Sequence, residues 1–198
     1  MNQKDLKQKF LDDLYKNHET SEKLFIKDGS KRIIFGEGNP DSNIMFIGEA
    51  PGAQEDLEGR PFVGRSGRLL NKLLDLANIK REDVFITNII KCRPPNNRKP
   101  FPNEMANARD LLLKQIDIIK PTIICTLGAS ALEGLTGKPA QISKTRGRLS
   151  SYNHLLILPT YHPAFILRNP QELETLANDI ILACTKADEL ASEREKSY

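Results

Sequence analysis

Four short apolar runs constrain this chain more than any other feature: NIMFIG (43–48), DVFITNII (83–90), TIICTLG (122–128) and HLLILPT (154–160). None keeps the strict polar–apolar alternation of a half-exposed strand, and each is shorter than an ordinary buried helix. Between and after them lie segments with helical spacing: 65–78, 103–120 closed by Pro121, 129–135, and a long last one at 171–187. Continuous apolar strands alternating with helices are the pattern of a parallel sheet covered on both faces. The expected fold class is α/β, a three-layer α/β/α arrangement around a central four-stranded parallel sheet.

The 198 residues suit one domain, 1–198, with a sizeable core. An amphipathic helix is expected at 2–17, with Leu6, Phe10, Leu11 and Leu14 on one stripe, and a frayed tail after about 188. No apolar run is long enough to span a membrane, and the charged N-terminus has no apolar signal core, so the expected location is the cytoplasm. A net charge of +3 neither demands nor excludes nucleic acid, so the placement of charge has to decide. Three cysteines without a CxxC pair argue against a disulfide framework. Cys125 and Cys184 sit in apolar patterns and read as core, whereas Cys92 lies at the edge of a loop, in KCRPP.

In a parallel sheet ligands bind beyond the carboxyl ends of the strands, and three of the four ends here are elaborate. The first, GEAPGAQED, combines a Gly/Pro backbone (Gly48, Ala50, Pro51, Gly52) with the carboxylates Glu49, Glu55 and Asp56. Such a loop can offer backbone N–H groups to a carbonyl or phosphate, or be a solvated acidic turn. Phe62 follows in GRPFVGRSG, among Arg60, Arg65 and Arg68, either as a stacking platform for a base or as a core plug. The second end places Asn88, an amide suited to a pyrimidine edge, before a loop carrying Lys91, Arg93, Asn97, Arg98 and Lys99 and no acid. The third, PTYHPAFILRNP, fixes His162 against Pro163 and ends in an apolar tip closed by Arg168. His162 reads as a structural residue or a proton donor, and the tip as a wedge for the space a base vacates. A further acid-free loop, 138–148, holds Arg146.

GEAPGAQEDLEGRPFVGRSGRLL, ITNIIKCRPPNNRKP and PTYHPAFILRNP, in this order and spacing, resemble the motifs of the family 4 uracil-DNA glycosylases, over roughly residues 33–182. The resemblance implies an α/β/α fold that flips uracil from DNA and cuts its N-glycosidic bond in base excision repair. By that resemblance Gly48, Glu49, Ala50, Phe62 and Asn88 hold uracil, and Glu55, Asn97 and His162 serve catalysis. Arg65, Lys91, Arg93, Arg98, Arg146 and Arg168 would contact DNA, with Ile166 and Leu167 plugging the duplex. Position 50 is Ala where other glycosylase families place a water-activating Asp. The expected partner is uracil-containing DNA and the expected state a monomer.

One departure is plain. The usual member of that family holds a [4Fe–4S] cluster with a CxxC pair near the N-terminus, one cysteine in the KCRPP loop and one on the next helix. Here only Cys92 remains; the helix position is Ala108, and residues 20–31 contain no cysteine. One thiolate cannot hold four irons, so no cluster and no other metal is expected, with Leu24, Phe25 and Ile26 filling the space. Loss of the cluster supports a second reading, a DNA-binding relative with impaired catalysis. A third, a relative that links covalently to the abasic sugar, is associated with a histidine in the loop matching KCRPPNNRKP, which contains none.

Overall fold

The computed structural model describes residues 2–196. Its sheet is built on the four apolar runs, as β2 (Ile44–Gly48), β3 (Phe85–Asn88), β4 (Ile123–Leu127) and β6 (Leu155–Thr160). They lie side by side in the order β3-β2-β4-β6, all parallel. Among the described residues the sheet has six strands, the four expected parallel ones and two more at its edges. β1 (Glu37–Gly38) pairs antiparallel with β3 at one edge, and β5 (Ser150–Tyr152) pairs antiparallel with β6 at the other. Neither added strand carries an apolar run, because an edge strand buries little and needs none.

Residues on the parallel strands alternate between two cores. Met45 and Ile47 face one side, with Leu11 and Leu14 of α1 (Gln3–Lys16), Leu111, Leu112 and Ile116 of α4 (Pro102–Ile119), and Leu135 of α5 (Ala129–Thr136). Ile44 and Phe46 face the other, with Leu70, Leu73 and Leu74 of α3 (Arg65–Leu76) and Leu176, Ile180 and Ala183 of α8 (Leu173–Lys196). Cys125 and Cys184 lie in the second core as expected. Three short helices fall inside segments with no helical spacing: α2 (Ala53–Glu58), α6 (Ile142–Thr145) and α7 (Pro163–Ile166). α8 stays helical to Lys196, past the point near 188 where fraying was expected. Among the described residues no helix is long and apolar enough to cross a membrane.

Register brings the site together. Gly48 lies opposite Asn88, and Leu127 opposite Thr160, so the carboxyl ends of the parallel strands finish along one edge.

Candidate active site

A cleft of about 590 Å³ opens at that edge, within the usual range for small-molecule sites. Of the expected site residues, Glu49, Ala50, Glu55, Phe62, Asn88, Asn97, Arg98, His162 and Arg168 line it. Gly48 does not line it but lies beneath. A Cβ there would collide with both Asn88 Oδ1 and the Phe62 ring, so only glycine lets these two groups close over the end of β2.

Phe62 is buried, with φ +50°, an uncommon conformation for a bulky residue. Arg81 holds it there. Its Nη2 donates to the Pro61 carbonyl (2.6 Å) and its Nη1 to the Phe62 carbonyl (3.2 Å) and to Asn71 Oδ1 (2.8 Å). Glu37 in turn accepts from Arg81 Nε and Nη2 (3.0 and 2.8 Å) and from Arg60. Burial alone would raise the Glu37 carboxyl, but the hydrogen bonds and charges of Arg60 and Arg81 outweigh it and hold it below the ordinary value. Arg81 stands outside every motif, and only its partners, far away in sequence, reveal its role.

Glu55 clamps two loops. Its Oε1 accepts from the N–H groups of Val63 (3.0 Å) and Gly64 (2.8 Å), and its Oε2 from Gly52 (3.2 Å). The carboxylate thus ties the loop after β2 to the loop carrying Phe62, and fixes a negative charge in the wall.

Asn88 ends β3 at 2% exposure, and its Oδ1 is buried without a hydrogen-bond partner. An unpaired buried acceptor costs about 1–3 kcal/mol, and here it sits in the wall of a cleft, where a ligand N–H would satisfy it. His162 caps the first turn of α7, its Nδ1 accepting from the Ala164 N–H at 3.0 Å. An accepting Nδ1 leaves the proton of the neutral ring on Nε2. Burial, reinforced by the nearby Arg168 charge and opposed by Glu55, lowers its pKa from 6.5 to about 4. The imidazole is therefore a neutral donor at physiological pH. Its ring centroid lies 5.7 Å from that of Phe62.

The opposite wall was not anticipated. Leu127, Gly128, Ala129 and Ser130, at the junction of β4 and α5, line the cleft together with Ser66, Ile142, Tyr161 and Phe165. The turn LGAS looked minimal because it is short and uncharged, and only its place at the end of β4 puts it in the cleft.

Three of the expected DNA contacts are corrected. Lys91 is fully buried and bonded inward. Ile166 is 3% exposed and belongs to the second core, because the short helix α7 turns it inward. Arg146 forms a two-pronged ion pair with the buried Asp179, which also accepts from Thr160 Oγ1 (2.6 Å), so the guanidinium pins loop 138–148 to α8. Arg146→Ala is accordingly expected to lower the melting temperature, since it strands a buried carboxylate, while leaving the salt dependence of DNA binding unchanged. A smaller salt slope without loss of stability would restore the DNA contact.

The other cations are placed differently. Arg98 pairs with both oxygens of Glu104 and stacks 3.9 Å from the Phe101 ring. Arg93 donates to Asn97 Oδ1 at 2.8 Å, and so orients a residue of the cleft. Arg65, Leu167 and Arg168 are exposed, Arg168 lines the cleft, and the other two are chain neighbours of the lining residues Ser66 and Arg168.

The surroundings of Cys92 do not fit an iron–sulfur cluster. Its side chain is fully buried in one core with Leu24, Ile26, Met105 and Ala108, none of which supplies the thiolate that such a cluster needs. Burial foremost, then the charge of Asp56, pushes its thiol up to about 12, against a smaller opposing pull from Lys31. Among the described residues no group of histidine, cysteine or acidic side chains could hold a metal ion.

Comparison with known proteins agrees with this geometry. The family model of the Uracil DNA glycosylase superfamily matches residues 35–183. The chain is 50% identical over 139 residues to a Type-4 uracil-DNA glycosylase of Thermotoga maritima, covering 69% of this chain and 72% of that protein. It is 46% identical over 158 residues to a Type-4 uracil-DNA glycosylase of Saccharolobus solfataricus (75% and 73%). A third, from Archaeoglobus fulgidus, is 37% identical over 177 residues (85% and 89%).

Proposed function

The chain belongs to the uracil-DNA glycosylase superfamily, and on that premise we propose that it extrudes uracil from DNA and hydrolyses its N-glycosidic bond, leaving an abasic site. The observation that carries this reading is the buried, unpartnered Oδ1 of Asn88 in the cleft wall. It suits the N3–H of uracil. Cytosine presents a lone pair at the same ring position and would be repelled.

Uracil leaves with the electron pair of the broken bond, so catalysis requires donors where that charge collects. His162 Nε2–H supplies one toward the O2 edge, and Glu49 and Ala50, which line the same cleft, each carry a backbone N–H. Phe62 stacks on the extruded ring. The sugar becomes cationic as the bond breaks, and the fixed carboxylate of Glu55 favours that charge. Water then adds to the sugar carbon and gives up a proton, which the departing uracil anion takes up; Asn97 lines the same cleft. Flipping the nucleotide costs a few kcal/mol, offset by stacking and phosphate contacts. Arg65, Arg93 and Arg168 provide cations for the phosphates, and Leu167, exposed where Ile166 is buried, is the wedge. One chain lines the whole cleft, which fits a monomer, and the reading places its action in the cytoplasm.

The direct test is incubation with an oligonucleotide holding a single uracil, followed by alkali. Strand cleavage at the uracil is expected. Binding without cleavage would favour the catalytically impaired relative instead.

Phe62→Ala is expected to lower kcat/KM by about 5- to 150-fold, as the loss of ~1–3 kcal/mol of stacking implies. A lower melting temperature with unchanged kinetics would make the ring a core plug only. We also place the protein among glycosylases that work without an iron–sulfur cluster. Purified protein should be colourless and free of stoichiometric iron, and a brown protein with bound iron and sulfide would contradict this.

A further inference from the structure

Lys91 stands in a loop rich in basic residues, yet its ammonium lies wholly inside the protein. Its Nζ has three partners: Thr87 Oγ1 at 2.7 Å, the Asn88 carbonyl at 2.8 Å and Gln115 Oε1 at 2.6 Å. None is a carboxylate. The surrounding network settles which group donates. The Thr87 hydroxyl spends its hydrogen on the Phe35 carbonyl (2.8 Å), so toward Lys91 it can only accept. Gln115 Nε2 donates to the same carbonyl (2.9 Å), which turns its Oε1 toward Lys91. The third partner is a carbonyl and has nothing to donate.

An uncharged amine carries two hydrogens and a lone pair. Faced with three acceptors, it would point that lone pair at an oxygen. Only the ammonium, with three hydrogens, satisfies every contact. Burial works against it, pushing the Lys91 pKa well below the ordinary 10.5, so the fold keeps a charge there at a cost in stability. The three matched bonds are what hold the charge in place.

The position of this charge suggests its use. The carbonyl it grips belongs to Asn88, the last residue of β3, whose side chain reaches the cleft. Beyond Asn88 the chain stays tied to the neighbouring loop, with the Ile89 N–H on the Gly48 carbonyl (2.9 Å) and the Ile90 N–H on the Glu49 carbonyl (3.0 Å). The Lys91 carbonyl accepts from the Ile34 N–H (2.7 Å). A positive charge in a low-dielectric interior, with no carboxylate bonded to it among the described residues, acts over a longer range than one at the surface. We infer that Lys91 is a positioning residue for uracil release: its buried ammonium fixes the Asn88 end of β3 and sets a positive potential behind the departing base. The inference rests on the glycosylase reading above. It gives a catalytic use to a lysine whose sequence context pointed to DNA phosphate.

Two measurements on the full chain decide it. Nitrogen NMR of wild-type protein labelled at lysine Nζ should show Lys91 with three attached hydrogens at neutral pH; two would overturn the inference. In single-turnover release of uracil from DNA, Lys91→Met should be about ten- to a hundredfold slower than wild type, with DNA affinity retained. Its effect should also be less than additive with Asn88→Ala, because the two act as one unit. Gln115→Glu keeps an acceptor on Nζ while setting a negative charge against it; it should slow release as well, and it serves should Lys91→Met not fold. A wild-type rate in either folded variant, or full additivity with Asn88→Ala, overturns the inference. A wild-type protein that releases no uracil would instead defeat the glycosylase reading, and the NMR result would still decide the charge.

Discussion

His162→Ala is expected to slow single-turnover uracil release about 10²- to 10³-fold, the usual loss when one preorganised donor to a developing anion is removed. The variant also loses the cap on the Ala164 N–H, so a stability loss of about 1 kcal/mol should accompany it. The kinetic effect is far larger than that cap can explain. Since burial holds the ring pKa at about 4, the imidazole is neutral from alkaline pH down to about 5, and NMR should show no His162 titration near 6.5. The unfolded ring gains its proton near 6.5 and the folded one only near 4. The stability linked to this residue is thus whole above 6.5 and is lost as the pH falls through 4. Near-normal excision by His162→Ala, or a ring that titrates near 6.5, would remove the neutral-donor role.

Asn88→Ala is expected to lower kcat/KM on uracil-containing DNA about 10- to 100-fold, the range for a hydrogen bond in a dry site. It should not destabilise the fold, because the Oδ1 removed has no partner in the free protein. That combination separates a ligand-reading amide from a structural one, whose loss would lower the melting temperature. Discrimination against cytosine should fall along with the rate. A variant that is less stable yet equally active and selective would show that Asn88 serves the fold alone.

Much of the frame was legible in the sequence, because strands buried on both faces must be apolar throughout and the helices between them keep their period. β1 and β5 escaped notice for the converse reason: at a sheet edge Glu37–Gly38 and Ser150–Tyr152 contain no fully buried residue. Site residues that depend on position along a strand were also readable. Asn88 and His162 reach one cleft because parallel strands end together, and the loop after α2 brings Phe62 to the same place.

Partnership was the part the chain concealed. Lys91 and Arg146 stand in acid-free loops and read as phosphate contacts. One is held by Gln115, 24 residues on, and the other by Asp179, 33 residues on. A charge run shows the sign of a group and nothing of what it meets. Ile166 and Leu167 are likewise equivalent as letters, and only the four-residue turn of α7 buries the first and exposes the second. Arg81 lay outside every motif, since its work is done on the carbonyls of a loop twenty residues upstream.

The most direct test is a crystal of the protein soaked with uracil. The base should lie in the cleft against the Phe62 ring, with N3–H on Asn88 Oδ1 and O2 at His162 Nε2, both at hydrogen-bond distance. Uracil bound elsewhere, or lying in the cleft with neither group engaged, would contradict the account.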